Sequence, residues 1–560
     1  MRQRNFLNSL ILFIAGIVLI SVAATISTDG LRLAMVSDPA RSLDWGPALF
    51  RILLVWHGVV LMVAGAYLLN QEEERTPEAE RTPDWMWIAL GAMSLVALGL
   101  RVWRLESDLW FDEVLTLVDF VRLPMGDLLT VFPSQNQHMF FSFLARLSLK
   151  SFGESAWALR LPSVVFGIGS IWALFLLGRR VIGAREALAA CALMTVSYHH
   201  IWFSQNARGY MGLLCLAIMA TWLWMEASRW GGWAWWGGYM AAVSLGMWMH
   251  MTMAFVLASH GIVYLMELLA GRLSGVGLRP SFRWRPLIAW VLCVTVTMQL
   301  YALALPEFLR VGLHEVSLPS EWTNPLWVLT ESLRSFQLGW PGLTALVVAS
   351  LIGGAVWIGL FRRNWRAALL LTLPGVLAGG TMLALRHNFW PRFFFFCLGY
   401  ILLIVVYGAI AAPSWLGARW KSFPALAGWG RGTGWLLAGL LIVASGLTVP
   451  RNYRLPKQDF SGARQYVEQQ RRIGEGVVAV GLAGVAYRRY YAPHWTEIQS
   501  ARELETFRQS HATVWLVYTI PIEVKAYRPD VWQAVERDYE VVRVFPGTLG
   551  GGEVFVCRNR

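Results

Sequence analysis

The sequence predicts a polytopic α-helical membrane protein with about thirteen transmembrane helices and a small C-terminal α/β domain. Three observations lead to this prediction. Of the 560 residues, 56% are hydrophobic and only 15% are charged, against roughly 25% charged in an average soluble domain. The apolar residues are concentrated in stretches long enough to cross a bilayer. The residues after Pro450 have the mixed pattern of a soluble domain instead. The composition therefore excludes a soluble enzyme or a disordered chain.

Each predicted span holds about 20 mainly apolar residues, the number that a helix needs to cross the hydrocarbon core. The spans lie near 5–25, 48–69, 84–103, 157–178, 185–203, 207–228, 233–250, 252–270, 286–305, 340–360, 367–385, 393–412 and 434–450. The apolar stretch 138–152 is shorter and contains Arg146 and Lys150. We expect an interfacial or re-entrant helix there rather than a span.

Basic residues predict the orientation of the spans. With the N terminus in the cytoplasm, Lys and Arg gather on the cytoplasmic side, as the positive-inside rule requires, in the loops 178–185, 271–285, 361–366 and 413–433. An odd number of spans then places the residues after about Pro450 outside. We expect a multi-pass protein of the inner (plasma) membrane with an extracytoplasmic C-terminal domain. The same rule accounts for the net charge of +13, so no nucleic-acid partner is expected.

The chain divides into four predicted regions. They are two leading transmembrane helices (1–70), an acidic linker (71–84), a membrane-embedded core (85–450) and an extracytoplasmic α/β domain (451–560). In the last region, 477–480 and 513–518 have the composition of short buried strands.

Two adjacent carboxylates, Asp112 and Glu113, follow the apolar stretch Leu109–Phe111 in the first outer loop of the core. From there, Asp112, Thr116 and Asp119 follow one face of a helix, and apolar residues fill the remainder. We expect this helix to lie along the membrane surface. A carboxylate at its start is a candidate general base. The alternative is that both acids only stabilise the helix N terminus electrostatically.

Arginine residues gather on the same predicted face. Arg208 and Arg392 lie in the first turns of helices, where a cation opposes the helix dipole, and on the side that the positive-inside rule disfavours. Arg386 and His387 are close by in sequence. The pattern predicts a site for an anion, since guanidinium groups and helix N termini both attract phosphate. Anchoring to anionic lipid headgroups is the alternative.

Other kinds of chemistry have no signature in the chain. His138 begins the short helix, and His250 ends the span at 233–250; a single histidine at such a boundary is more often a hydrogen-bonded cap than a catalyst. The sequence contains no HExxH, P-loop, GxSxG or dinucleotide motif. The five Cys form no CxxC pair. No metal site or cofactor is predicted, and a requirement for a divalent metal stays open.

In these residues the chain resembles the polytopic, lipid-dependent glycosyltransferases of the GT-C fold. It is most similar to the bacterial group related to protein O-mannosyltransferases and aminoarabinose transferases, which is like glycosyltransferase family 39. The stretches that carry the resemblance are Leu109–Glu113, Gly153–Ser163, Leu177–Arg180, Ser204–Tyr210, Pro391–Phe395 and, in the outer domain, Gln458–Ala463.

The resemblance implies transfer of a hexose or pentose from a polyprenyl-phosphate donor in the bilayer to a glycan, lipid or protein acceptor outside it. Asp112 matches the catalytic carboxylate of the family and Arg392 the late arginine that faces the donor phosphate. The expected site residues are Asp112 and Glu113 for catalysis, Arg208, Arg392 and Arg386 for the donor phosphate, and Tyr210, Gln205, His138 and His387 for substrate contact.

Other functions compete with this interpretation. An O-antigen ligase or polymerase also uses lipid-linked glycans and outer-face Arg and His, although the Asp112–Glu113 pair favours the transferase. A transporter usually places ionisable residues near the midplane of the membrane on broken helices, whereas here the distinctive charges lie at the outer edge. A structural scaffold would not need Arg208 and Arg392 at their positions.

Reporter fusions test the predicted orientation. A reporter fused after Pro450 should be active outside the cytoplasm, and one inserted at Gly275 should be active inside, because the positive-inside rule fixes the side of each loop. The opposite pattern would contradict both the thirteen-span topology and the grouping of the site residues on the outer face.

Overall fold

The computed structural model of the protein describes residues 2–69, 82–274, 280–311, 324, 326–327, 342–419 and 424–560. Within these ranges the chain forms a body of long helices and, after the last of them, a five-stranded sheet with its own helices. We call the second part, residues 455–560, the sheet domain. Most of the predicted acidic linker at 71–84, from residue 71 to residue 81, lies outside the described residues.

The helical body consists of long helices that run back and forth, joined by short helical segments. The helices are α1 (Arg2–Thr25), α2 (Thr28–Met35), α3 (Gly46–Leu69), α4 (Asp84–Val102), α5 (Phe111–Leu115), α6 (Met125–Leu128), α7 (Met139–Phe152), α8 (Ala156–Val181), α9 (Ala184–Thr195), α10 (Tyr198–Ser204), α11 (Tyr210–Trp230), α12 (Trp233–Met249), α13 (Met253–Ser274), α14 (Pro280–Tyr301), α15 (Leu305–Arg310), α16 (Gly342–Arg363), α17 (Trp365–Ala384), α18 (Leu398–Arg419) and α19 (Pro424–Thr448). A π-helical turn, Thr116–Val121, continues α5, and a 3-10 turn, Pro391–Cys397, precedes α18.

Nine helices among the described residues are long and apolar enough to cross a membrane. This finding confirms a multi-pass helical membrane protein. The count of thirteen spans stays a prediction, since α12, α14 and α16 occupy predicted spans but are not among the nine.

The predicted span 185–203 differs from the observed structure, which has two shorter helices, α9 and α10, in its place. The chain breaks at Ser197, whose hydroxyl accepts a hydrogen bond from the N–H of His200. Such a side-chain cap satisfies a free N–H group at the start of a new helix.

Arginines also form ion pairs at the end of the helical body that lies away from the sheet domain. Consecutive long helices run antiparallel, so loops alternate between the end that contacts the sheet domain and the opposite end. At the opposite end, Arg180 pairs with Glu226 at 2.5 Å and Arg366 pairs with Glu267 at 2.8 Å. These arginines belong to two of the loops that the sequence analysis placed in the cytoplasm.

The two leading helices pack directly against each other through small residues. The hydroxyl of Ser9 donates a hydrogen bond to the carbonyl of Gly65, and a Cβ at Gly16 would lie 2.6 Å from the carbonyl oxygen of Gly58. Close backbone approach of this kind stabilises helix pairs in membranes, where van der Waals packing replaces the hydrophobic driving force.

Arg41, in the loop between α2 and α3, ties the leading helices to the core. Its Nη2 donates to the carbonyl oxygen of Thr130 at 2.7 Å and to Oε2 of Glu307 at 3.0 Å. The same Oε2 accepts from the N–H of Phe132 at 3.0 Å. The leading helices therefore support the segment that leads to His138.

The sheet domain has a mixed sheet in the order β2-β1-β3-β5-β4. Its strands are β1 (Gly476–Val480), β2 (Thr496–Ile498), β3 (Val514–Thr519), β4 (Tyr539–Phe545) and β5 (Val554–Asn559). Strand β1 runs parallel to β2 and β3, and β5 runs antiparallel to β3 and β4. The strands predicted at 477–480 and 513–518 are β1 and β3, and both are buried along their whole length, as expected of strands covered on both faces.

Candidate active site

Asp112 and Arg392 form an ion pair between the start of α5 and the 3-10 turn that precedes α18. Oδ2 of Asp112 accepts a hydrogen bond from Nη1 of Arg392 at 2.9 Å. The side chains are 10% and 22% exposed, so solvent still reaches the pair. Oδ1 of Asp112 accepts no hydrogen bond from any described side chain or backbone group. One carboxylate oxygen is thus held by a cation, and the other can receive a proton.

The guanidinium of Arg392 is fixed by its neighbours as well as by Asp112. Its Cζ lies 3.6 Å from the centroid of the Trp390 ring, a cation–π arrangement that orients the planar group. Within the described part of the chain, Nε of Arg392 is buried and has no hydrogen-bond partner. Arg392 therefore retains a donor for a ligand.

Glu113 is completely buried, and its environment differs from that of Asp112. Its oxygens accept from Nε and Nη2 of Arg160 at 2.8 and 2.6 Å, and from the N–H groups of Ala207 and Trp110 at 2.7 and 3.2 Å. Burial acts to raise the pKa of Glu113, but the charges of Arg160 and Lys457 and these hydrogen bonds together hold the pKa below its usual value. Glu113 is an ionised group with both oxygens occupied, so it holds the loop in place.

Arg160 uses its remaining N–H groups on the same loop. It donates to the carbonyl oxygens of Leu105, Ser107 and Asp108 at 2.7, 2.8 and 2.8 Å. Arg160 and Glu113 are both fully buried in the ion pair. Together they fix the path of the loop that brings Asp112 into the site.

Arg208 lies in the turn between α10 and α11. Its Nη1 donates to Oγ1 of Thr116 at 3.0 Å and to the carbonyl oxygen of Asn136 at 2.8 Å. Its Nε is buried without a hydrogen-bond partner among the described residues. Arg208 therefore connects the segment after Asp112 with the segment before α7, and it also keeps a free donor.

His138 contacts Arg208 through its imidazole ring. Nε2 of His138 lies 3.0 Å from Nη2 of Arg208, and Nδ1 lies 2.9 Å from the backbone nitrogen of Gly209. Burial and the charges of Arg208, His250 and Arg392 lower the pKa of His138 well below its usual range. An imidazolium has no acceptor and a neutral imidazole has one, so the ring is neutral and accepts one of these two hydrogen bonds.

Gly209 makes this close approach possible. A Cβ at position 209 would lie 2.4 Å from Nδ1 of His138. Behind the contact, the rings of His138, Tyr210 and His250 lie against each other with centroids 4.9 to 5.6 Å apart. The predicted residues His138 and Tyr210 thus form one wall of the cluster around Asp112.

Three predicted site residues are not part of that cluster. The amide of Gln205 donates to the carbonyls of Arg101 and Trp103 and accepts from Asn452. Hydrogen bonds within the protein therefore already use both its nitrogen and its oxygen. His387 contacts Gln135 at 3.2 Å and lies at the edge. Arg386 is exposed, and its guanidinium has no hydrogen bond or ion pair within the described ranges.

The charges of the cluster suit an anion. Arg208 and Arg392 carry two positive charges against one negative charge on Asp112, and His138 is neutral. Among the described residues, no three His, Cys, Asp or Glu side chains are grouped so that they could share a metal ion. An anionic ligand bound in this cluster would balance the excess positive charge.

Several residues of the site were missed by the sequence analysis. Arg160 gave a usable signal, because a lone arginine inside an apolar span is usually paired with a buried acid. Asn136 and Trp390 gave no sequence signal. Asn136 contacts Arg208 only through its backbone carbonyl, and Trp390 contacts Arg392 through the face of its ring. Gln458, which contacts the backbone of α5 from the sheet domain, is 347 residues away from its partner in sequence.

Comparison with known proteins gives one family match. The family described as dolichyl-phosphate-mannose-protein mannosyltransferase matches residues 136–298. This match confirms, over that part of the chain, the resemblance predicted from the sequence. It includes His138 and Arg208 but neither Asp112 nor Arg392. No curated protein sequence matches the chain.

Solved structures with a similar course of the chain include three membrane proteins. ArnT from Cupriavidus metallidurans, bound to undecaprenyl phosphate, is 13% identical with a TM-score of 0.43 over 85% of this chain and 98% of that chain. The apo oligosaccharyltransferase of Archaeoglobus fulgidus is 13% identical with a TM-score of 0.44, over 82% and 73%. Arabinosyltransferase EmbB of Mycobacterium smegmatis is 12% identical with a TM-score of 0.44, over 73% and 45%.

The different environments of the two carboxylates predict different effects on stability. Glu113→Gln leaves Arg160 buried without its counter-charge, so we expect a loss of about 3–5 kcal/mol. Asp112→Asn leaves Arg392 partly solvated and stacked on Trp390, so we expect a much smaller loss. The measurement is thermal and denaturant unfolding of the purified variants in one detergent. Equal losses would contradict the assignment of Glu113 to the structure of the loop.

The same variants have a predicted pH dependence. The pKa of Glu113 is depressed in the folded protein, so its stabilising contribution is present above its unfolded pKa and is lost as the pH falls through the folded pKa. Glu113→Gln should therefore flatten the loss of stability on the acid side of about pH 4. An unchanged acid slope would show that other groups control it.

Proposed function

We propose that the protein is an integral-membrane glycosyltransferase that moves a sugar from a polyprenyl-phosphate donor to a hydroxyl group of an acceptor, with Asp112 as the general base. The observation that carries the proposal is the direct contact between Asp112 and Arg392. It places a carboxylate with one free oxygen beside a cation with one free donor. The family match over 136–298 supports a lipid-phosphate sugar as the donor class.

In the proposed reaction, the acceptor oxygen attacks the anomeric carbon of the donor sugar. The proton of the acceptor hydroxyl passes to Oδ1 of Asp112. The bond between the anomeric carbon and the phosphate oxygen breaks, and the electron pair leaves with the phosphate. The products are the glycosylated acceptor, the lipid phosphate and a protonated Asp112, which returns its proton to solvent.

Arg392 and Arg208 stabilise the leaving group in this scheme. Negative charge grows on the phosphate as the bond breaks, and fixed cations are most effective where they need no reorganisation. Arg392 is already oriented by Trp390, and Arg208 by Thr116 and Asn136. When the donor phosphate binds Arg392, it competes with Oδ2 of Asp112 for the guanidinium. Binding of the donor thus releases the base at the moment it is needed.

The location of the site agrees with a donor that arrives within the bilayer. The contacts between Asp112, Arg208, His138 and Arg392 are made by loops at the end of the helical body that faces the sheet domain. We assign this end to the extracytoplasmic side of the inner (plasma) membrane, because the arginines of the predicted cytoplasmic loops lie at the other end. The acceptor is a glycan, a lipid or a protein that reaches the membrane from outside.

Asp112→Asn tests the base. Asparagine nearly preserves the shape but accepts no proton, so we expect turnover to fall by about 10²–10⁴-fold. The measurement is sugar transfer in nanodiscs with a panel of synthetic polyprenyl-phosphate sugars, after mass spectrometry of envelope glycans, lipids and proteins from cells with and without the gene has identified the missing sugar.

Asp119→Asn is the matched control, since Asp119 lies on the same segment and pairs with Arg489 outside the cluster. We expect it to change turnover by less than about threefold, as is typical of an exposed ion pair. Full activity of Asp112→Asn would assign the base to another group.

Arg392 tests the phosphate site. Arg392→Ala removes a charge-assisted contact worth on the order of 2–4 kcal/mol, or roughly 30- to 1000-fold in donor-dependent transfer. Arg392→Lys keeps the charge but loses the planar pair of donors, so it should retain only part of the activity. Arg386→Ala, on the same loop, is the comparison. A greater loss there than at Arg392 would place the phosphate at Arg386.

A further inference from the structure

The sheet domain contacts the loop that carries Asp112 at successive positions. The hydroxyl of Tyr491 donates to the carbonyl of Leu109 at 2.6 Å, and the N–H of Ser461 donates to Asp108 at 3.2 Å. Nζ of Lys457 lies 4.0 Å from Glu113. These contacts bracket residues 108–113. A domain that only covered the membrane-embedded core would not need polar contacts to consecutive parts of one short loop.

Lys457 is buried among opposite and like charges. Its Nζ donates a hydrogen bond to the carbonyl of Gln205. Burial and the charge of Arg160 lower the pKa of Lys457 to about 7, although the charge of Glu113 acts to raise it. Lys457 therefore joins the sheet domain to both the α5 loop and the turn that carries Arg208.

Gln458 contacts the residue that precedes Asp112. It is fully buried. Its Oε1 accepts from the N–H of Phe111 at 2.9 Å, and its Nε2 donates to Oγ1 of Thr519 at 3.1 Å. Phe111 is the first residue of α5, where a helix has N–H groups without intrahelical partners. One side chain thus satisfies the backbone beside Asp112 and anchors it to the end of β3.

Thr519 completes the connection. It is fully buried, and its hydroxyl contacts the carbonyl oxygen of Glu553 at 2.9 Å. The position of Gln458 is therefore fixed by the central part of the sheet, not by the flexible torsions of its own side chain. A shift of the sheet domain would move the amide of Phe111 and, with it, the carboxylate of the next residue.

We propose that Gln458 is a positioning residue for the transfer reaction and that the sheet domain is, through it, a working part of the active site. Gln458 touches neither Asp112 nor the anion site; it acts through the backbone of Phe111. The proposal rests on the function proposed above, because it assumes that the position of Asp112 limits turnover. The proposal also predicts that Gln458 stabilises the α5 loop, which can be measured without a substrate.

The first measurement is hydrogen exchange of the full-length protein in nanodiscs. Gln458→Met keeps the length of the side chain and removes both hydrogen bonds, so peptides that cover residues 109–121 should exchange faster than in the wild type. Gln499→Met is the control, because it makes the same change at an exposed position of the sheet domain. Unchanged exchange at 109–121 in Gln458→Met would overturn the proposal.

The second measurement is transfer kinetics. We expect Gln458→Met to lower kcat by about 10- to 100-fold with little change in the KM of the donor, since a misplaced catalytic group costs rate even where binding is intact. A selective rise in the KM of the donor, or wild-type kcat together with faster exchange, would contradict a positioning role. Failure of Asp112→Asn to lower turnover would instead contradict the proposed base, and the exchange result would still stand.

Thr519→Val is a second variant, which retains Gln458 and tests the same connection if Gln458→Met fails to fold. It removes the anchor of Gln458, so exchange at 109–121 should rise and kcat should fall, both to a smaller extent. In the double variant with Gln458→Met, we expect the kcat of Gln458→Met alone, because the two residues act through one connection. Fully additive losses would show that Thr519 and Gln458 affect turnover independently.

Discussion

The buried ion pair between Glu113 and Arg160 is the constraint on which the site depends. Burying a carboxylate charge without a paired cation or hydrogen-bond donors lowers the stability of the fold by several kcal/mol. Glu113 is compensated only if Arg160 and the N–H groups of Ala207 and Trp110 all reach it. This requirement fixes α8, the turn before α11 and the start of α5 relative to each other, so Asp112 has one position.

Two neighbouring carboxylates thus have different chemistry because of their surroundings. Glu113 is surrounded by donors, whereas Asp112 has one oxygen on Arg392 and one without a partner. A group with both oxygens occupied cannot take up a proton without breaking several contacts. In enzymes with paired carboxyl groups, such differences in environment give the two groups different roles.

The remaining parts of the site come from segments far apart in the chain. Asp112, His138, Arg208 and Arg392 follow or precede different helices, and antiparallel packing brings those helix ends together. Rigid helices position the loops, and the loops carry the charged groups of the candidate site. The leading helices support these loops through Arg41, and the sheet domain supports them through Gln458.

The sequence alone determined the class of the protein and indicated most residues of the candidate site. Apolar stretches of fixed length specify helices in a membrane, because an unpaired backbone group is too costly in lipid. The positive-inside rule indicated Arg208 and Arg392, since arginines on the predicted extracytoplasmic side need a local reason. Only the tertiary structure showed that both oxygens of Glu113 accept hydrogen bonds whereas Asp112 pairs through one oxygen with Arg392, that Gln205 and Arg386 lie apart from the cluster, and that the span at 185–203 is broken. The arrangement of the site depends on contacts between residues about 50 to 350 positions apart, as in the Glu113–Arg160 and Phe111–Gln458 pairs. Local sequence patterns do not identify the partner in such a pair, because packing decides which side chains meet.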